Sequence, residues 1–396
     1  MDFTLPAEDD PRRIEIRSFF EDHPGASYAQ LAERGYTAPN WPAPWGISAD
    51  PETMIVLEQE YARAGIAHPM TFNLIAINQC GQSLLKWGTD DQRKELLPPA
   101  LRCEARWCML FSEPSGGSDL AGLRTTARRE GDEYVVNGQK IWNSSANIAS
   151  HGVLLARTDS TAPKHKGLTQ FVIDMKTPGV TVRPIVDMSG EESEYCEVFL
   201  DEVRIPVSRR LGEEGDGWRI TLEQLQTERQ SMTKPGAIWG GGPTARELLD
   251  GLIATGRIKD PVIRGEAGRL YVEGEMLRLM SARHLSNKIN GRPAGPEGSF
   301  GKMIASPHGQ AISDLAKRSQ GPAGMIRNPD VLPLPDKHFG RFSNWDYAYW
   351  FAPAGTLGVG TQEILKNAVS ERILGLPRED DPDIKLPFDR TRRAAA

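Results

Sequence analysis

Phe111-Ser112-Glu113-Pro114-Ser115-Gly116-Gly117-Ser118-Asp119-Leu120-Ala121-Gly122 marks the place where the chain changes character, together with Glu133-Tyr134-Val135-Val136-Asn137-Gly138-Gln139-Lys140-Ile141-Trp142-Asn143-Ser144 downstream. Before these strings apolar residues recur at helical spacing. After them short apolar runs alternate with Gly and Pro punctuation, as strands of a small sheet do. The first string joins adjacent glycines to small hydroxyls, and its backbone N–H groups can approach a bound phosphate without a Cβ in the way. The second sets an aromatic plate beside a hydroxyl. Asn137-Gly138 within it reads as a two-residue hairpin turn, because both residue types tolerate positive φ.

Working outward, the 51–64 segment carries Met54, Ile55, Leu57 and Tyr61 on one helix face. Thr89-Asp90-Asp91-Gln92 is a helix-start signal, and Pro39-Asn40-Trp41-Pro42-Ala43-Pro44-Trp45-Gly46 interrupts the helical pattern. Strands are expected at 153–156, 170–174, 180–182 and 197–200. Helices are expected near 217–235, 261–289, 301–319 and 361–374, the last with Ile364, Leu365, Ala368, Val369 and Ile373 on one stripe. The fold class is therefore α+β and multidomain: an N-terminal α-helical domain (1–107), a middle antiparallel β-domain (108–211) and a C-terminal four-helix bundle (212–396). Residues 389–396 read as a frayed tail.

A net charge of −6 argues against nucleic acid as a partner, while 47 Lys and Arg leave an anionic ligand possible. No run approaches the ~20 apolar residues of a membrane span. Met1-Asp2-Phe3-Thr4 lacks the basic start of a secretory signal, so a cytoplasmic location is expected. Cys80, Cys103, Cys108 and Cys196 match no zinc spacing and no disulfide framework, and the seven histidines are scattered, so no metal is expected.

Seven pieces in order make the chain resemble the acyl-CoA dehydrogenase family over nearly its whole length. They are residues 111–119; Gly138-Gln139-Lys140-Ile141-Trp142; Val198-Phe199-Leu200-Asp201-Glu202-Val203-Arg204-Ile205-Pro206; Gly215-Asp216-Gly217-Trp218; Glu228-Arg229; Gly360-Thr361-Gln362-Glu363-Ile364; and Glu371-Arg372-Ile373-Leu374-Gly375-Leu376-Pro377-Arg378. The resemblance implies FAD as cofactor, an acyl-CoA substrate and an electron-transfer flavoprotein as acceptor. It also implies assembly as a homodimer or homotetramer, with a hetero-oligomer as the variant form. The chemistry implied is α,β-desaturation: a carboxylate removes the α-proton while flavin N5 takes the β-hydride. By the same resemblance Phe111 and Ser112 sit at the flavin ring through backbone groups, and Gly117 and Ser118 lie near cofactor and thioester arm. Trp142 stacks on the ring, Ser144 places a hydroxyl near N5, and Thr361 and Glu363 contact FAD. Thr361 and Glu363 also suit a helix N-cap and a first-turn carboxylate.

Many members carry the catalytic Glu directly before this Gly-Thr, but here the string is Gly358-Val359-Gly360-Thr361. Valine accepts no proton. Other members carry the base one element earlier, just before an Arg, where this chain has Glu228-Arg229. Glu228 shares a helical face with Leu225 and Met232, whose apolar surroundings would raise its pKa and strengthen it as a base. Arg229 is taken with Ser118 as substrate-binding. Val359 keeps its backbone N–H and is expected to serve the oxyanion. The family's Gln-Ile-x-Gly-Gly string is replaced by Lys317-Arg318-Ser319-Gln320-Gly321-Pro322-Ala323-Gly324, so Gln320 receives no cofactor role. Phe339, Phe342, Trp345, Tyr347, Tyr349, Trp350 and Phe351 read as subunit-interface packing in preference to an acyl pocket. The pattern resembles the actinobacterial branch, whose members include enzymes for bulky groups such as steroid side chains. Two other readings are carried: a non-catalytic partner subunit of a hetero-oligomer, and a flavin acyl-CoA oxidase.

Overall fold

Helices open the chain where capping residues and apolar stripes coincide. The computed structural model describes residues 6–188, 190, 192–231, 236–238, 241–292, 297–327, 331–334 and 344–391. It contains α1 (Pro11–Asp22), α2 (Tyr28–Glu33), α3 (Pro51–Ala64), α4 (Met70–Leu74), α5 (Gly81–Trp87) and α6 (Asp90–Leu101). Asp50 caps α3 by accepting from Thr53 N. Thr89 caps α6 in a reciprocal box with Gln92, which satisfies backbone donors the first turn leaves orphaned.

The β-region comprises β1 (Trp107–Leu110), β2 (Thr126–Glu130), β3 (Glu133–Ser144), β4 (His151–Arg157), β5 (Leu168–Asp174), β6 (Val180–Val186), β7 (Glu192–Pro206) and β8 (Arg210–Leu211). They form one sheet in the order β6-β7-β3-β2-β4-β5-β8, with β1 alongside β4. Pairing is antiparallel except where β1 and β2 meet β4. Strand period explains why β4 is buried along its length. Val153 and Leu155 face a core shared with Leu84, Leu96 and Leu97 of the helices, while Leu154 and Ala156 face a second core with Tyr134, Phe171 and Val198.

The hairpin turn expected at Asn137-Gly138 is not there: β3 runs straight through both residues, and the turn lies at Gly131-Asp132, where Gly131 takes φ +62°. Between Val136↔Val203 and Gly138↔Leu200, β7 carries one extra residue, a bulge with Glu202 at φ +49°. Asn137 serves that bulge, its Oδ1 accepting from Glu202 N at 2.9 Å. Gly138 is demanded by packing, since a Cβ there would sit 2.3 Å from Thr125 Oγ1.

The chain groups into two compact units, one of residues 4–227 with 379–396 and the other built mainly from 228–378. α7 (Gly217–Ser231) runs across the division. The second unit holds β9 (Gly236–Ile238), β10 (Gly241–Thr244), α8 (Ala245–Ala254), α9 (Pro261–Ile289), α10 (Glu297–Ser319), α11 (Trp345–Phe351), α12 (Ala354–Leu357) and α13 (Gln362–Arg372). Leu248 and Leu252 of α8, Leu270 of α9, Ile312 and Leu315 of α10 and Trp345 of α11 form its core. Of the expected helices, 261–289, 301–319 and 361–374 appear as α9, α10 and α13, and 217–235 as α7 as far as Ser231, with 232–235 outside the described residues; α8 joins them, its Thr244–Glu247 capping box visible in the sequence.

Two further expectations are corrected. Trp345, Tyr347 and Phe351 are buried within their own unit, so this part of the aromatic cluster is core and not interface; Phe339 and Phe342 lie outside the described residues. Of the tail expected to fray, residues 389–391 are docked, with a 3-10 turn at Phe388–Arg390 and Phe388 and Thr391 buried, and 392–396 lie outside the described residues. No helix among the described residues is long and apolar enough to cross a membrane.

Candidate active site

The two diagnostic strings lie side by side because one buried ion pair ties them. Glu113 and Lys140 are both buried, and Lys140 Nζ donates to Glu113 Oε1 at 2.8 Å and to the Phe111 carbonyl at 3.0 Å. The same carboxylate accepts from Arg124 N at 2.6 Å and Thr125 N at 2.9 Å. Burial alone would raise the Glu113 carboxyl; the Lys140 ammonium and the hydrogen bonds from Thr125 and Arg124 outweigh it and hold the group below its ordinary value. Burial likewise pulls Lys140 down against the opposing pull of Glu113. A pair this enclosed fixes geometry more than it adds stability, because desolvation offsets much of the attraction.

Two more bonds extend the alignment: Ile141 N donates to the Ser112 carbonyl at 2.9 Å, and Asn143 Nδ2 to the Met109 carbonyl at 2.7 Å. Phe111 itself is core, which leaves only its backbone to face a ligand. Beyond Lys140 the strand bulges. From Lys140↔Val198 to Asn143↔Cys196, β3 advances three residues while β7 advances two. The extra residue re-aims Trp142, which takes φ +63° and stands 58% exposed, edge-on to Tyr195 at 6.0 Å. A bulky residue at positive φ is a backbone outlier, and such strain gathers at ligand sites. Ser144 follows, half-buried. Asn143 Oδ1 is buried with no hydrogen-bond partner among the described residues.

The glycine string forms a tight turn, Glu113 and Gly116 exchanging N–H···O bonds of 3.0 Å in both directions. Gly117 and Ser118 follow it on the surface, and a Cβ at Gly117 would meet nothing within 4 Å. This chain therefore does not require glycine at 117 for its own packing.

In the second unit Val359, Thr361 and Glu363 fall together at the start of α13. Thr361 is the N-cap, accepting from Ile364 N at 3.3 Å, and Glu363 is an exposed first-turn carboxylate. Val359 adopts φ +57° and Gly360 φ +89°, a reversal that a β-branched residue rarely accepts. The buried Lys302 of α10 donates to the Gly360 carbonyl at 2.7 Å, and Gln362 Nε2 donates to Met303 O at 3.2 Å. The backbone of Glu228 and Arg229 is helical in α7; their side chains, and Met232, lie outside the described residues.

In the sequence Glu113 and Lys140 stand inside the two strings with no role attached. Their opposite charges, inside two strings already singled out, were the available signal. Lys302 had no such marker.

Three family matches follow this architecture in order: the acyl-CoA dehydrogenase N-terminal domain over residues 8–104, the middle domain over 108–203 and the C-terminal domain over 215–374. The chain belongs to the acyl-CoA dehydrogenase family of oxidoreductases. Among its relatives, acyl-CoA dehydrogenase FadE34 of Mycobacterium tuberculosis is 36% identical over 349 residues, 88% of this chain and 46% of that protein, so the chain spans about half its length. Acyl-CoA dehydrogenase IpdE1 of the same organism is 32% identical over 354 residues, 88% of this chain and 87% of that protein. Among solved structures, the Tcur3481-Tcur3483 steroid ACAD superposes with a TM-score of 0.76 at 28% identity, covering 96% of this chain and all of that one.

Proposed function

We propose that the chain is an FAD-dependent acyl-CoA dehydrogenase that introduces an α,β double bond into an acyl-CoA thioester. The observation that carries this reading is the bulge that turns Trp142 out next to Ile141, whose N–H bonds the Ser112 carbonyl, in a stretch locked by Glu113 and Lys140. The residues present fit a flavin: an exposed aromatic plate, a backbone edge at Phe111 and Ser112, a buried acceptor at Asn143 without a partner among the described residues, and open space over Gly117. Bound FAD would supply the acceptor for the β-hydride. Phe111, Ser112, Trp142 and Ser144 hold its ring side, and Gly117 and Ser118 leave room for its remainder and for the CoA arm. Thr361 and Glu363 serve the cofactor from α13.

Glu228 takes the α-proton. The Val359 backbone N–H donates to the thioester carbonyl as negative charge develops there, a role its side chain does not limit. Arg229 and Ser118 bind substrate. The chain works as a homodimer or homotetramer and passes electrons to an electron-transfer flavoprotein. A steroid-type acyl group is the substrate class suggested by the Tcur3481-Tcur3483 steroid ACAD.

Glu228→Gln tests the assignment. The variant should bind FAD with unchanged affinity yet lose reduction by an acyl-CoA panel under anaerobic conditions by about a hundredfold or more; reduction at the wild-type rate refutes the role. One observation favours a second reading, a half-site partner subunit: valine occupies the position where many members carry the base. The purified chain should be yellow under the first reading and colourless under the second.

A further inference from the structure

The last described residues do not trail away but return to the β-region. Phe388 N donates to the Ala162 carbonyl and Asp389 N to the Ser160 carbonyl, each at 3.0 Å. Pro163 and Pro387 form a bridge. Lys164 Nζ lies 3.4 Å from both Asp381 Oδ2 and Asp119 Oδ1, so one ammonium joins this segment to the turn just beyond Ser118.

At the centre is Arg157, a buried guanidinium at the end of β4. Its Nη2 donates to Ala121 O at 2.7 Å and Leu123 O at 3.2 Å, its Nε to Leu123 O at 3.2 Å, and its Nη1 to Lys164 O at 3.2 Å. The Phe388 ring closes the open face of that guanidinium, with the Arg157 carbon 3.5 Å from the ring centre. A cation over an aromatic face is attracted by the ring quadrupole, more strongly when both are desolvated. Burial lowers Arg157 to about 10, against the raising pull of Glu113, Asp159 and Asp119, so it remains charged at neutral pH. Three backbone carbonyls thus depend on one fork, and the fork is shielded from water by the far end of the chain.

We propose that residues 381–391 are a strap, which through Phe388 and the positioning residue Arg157 holds the 119–123 turn, and with it Gly116-Gly117-Ser118, in its flavin-receiving shape. This rests on the reading that the glycine string receives FAD. Removing the ring admits water to the guanidinium, and its bonds to Ala121 and Leu123 then compete with solvent. Linkage makes the relation reciprocal: if the docked strap raises FAD affinity, FAD must stabilise the docked strap.

The experiment uses the 396-residue apoprotein titrated with FAD by fluorescence, comparing wild type, Phe388→Ala and Phe388→Tyr, with trypsin cleavage after Lys385 followed by mass spectrometry in the wild type. Phe388→Ala should raise the FAD Kd about tenfold, equivalent to one charge-assisted hydrogen bond weakened by solvent, while Phe388→Tyr, which keeps the ring, should stay within about twofold. Saturating FAD should slow cleavage after Lys385 in the wild type, a result that stands even if Phe388→Ala fails to fold. An unchanged Kd in folded Phe388→Ala, or cleavage after Lys385 indifferent to FAD, overturns the strap alone. A wild-type chain that binds no FAD overturns the cofactor reading and the strap together.

Discussion

Substituting Glu113 tests the pair on which the site geometry depends. The carboxylate accepts from Lys140 Nζ and Thr125 N on one oxygen and from Arg124 N on the other, with Lys140 fully buried. Glu113→Gln puts an NH2 group against one of these donors and leaves the Lys140 ammonium without its counter-charge. Breaking one side of a buried pair costs about 3–5 kcal/mol. In a unit of this size each kcal/mol lowers the midpoint by about 2–4 °C, so a fall of roughly 6–20 °C is expected by circular dichroism or calorimetry. The double change Glu113→Gln/Lys140→Met removes the stranded charge and should recover part of that loss. The pH dependence has a definite sign. Burial would raise the Glu113 carboxyl, but Lys140 and its other donors hold it below the ordinary 4.5, so its stabilisation is complete above 4.5 and lost as pH falls through the lower folded value. A midpoint shift under about 3 °C for Glu113→Gln, or a double variant losing the full sum of the singles, refutes the reasoning.

Lys302→Met removes the ammonium that holds the Gly360 carbonyl at 2.7 Å, at a cost of about 1–3 kcal/mol. With the two positive-φ residues less constrained, amide exchange at 359–361 should accelerate; unchanged protection there counts against Lys302 as the clamp. His308 is buried in α10 with Nδ1 3.1 Å from Glu273 Oε2, and burial keeps its imidazole below 6.5 despite the pull of that carboxylate. Its contribution is therefore complete above 6.5 and declines as pH falls through the lower folded value. Melting between pH 7.5 and 5 should be steeper in pH for wild type than for His308→Phe, and equal slopes would remove His308 from the account.

Local chemistry carries its own label, and long-range pairing does not. Thr89-Asp90-Asp91-Gln92 names a helix start because the capping box closes within four residues, and the observed cap is that box. The glycine string is legible in the same local way, whereas Trp142 takes its role from the resemblance of its string to the family. Asn137-Gly138 misled because residues suited to a turn were meeting a partner 65 positions away: Asn137 serves the bulge at Glu202, and Gly138 yields space to Thr125. Glu113 and Lys140 are 27 positions apart, and they meet where β3 bonds back to the Met109 and Ser112 carbonyls. The tail is the sharpest case. Residues 389–396 read as a frayed tail, yet Asp389 N bonds the Ser160 carbonyl and the neighbouring Phe388 covers a guanidinium more than two hundred residues earlier in the chain. A buried cation needs its surroundings completed, and the chain supplies the missing face from wherever an aromatic ring is available. The 111–122 and 133–144 strings carry the proposed site; the contacts that fix their shape emerge only when the sheet, the bulge and the tail are assembled.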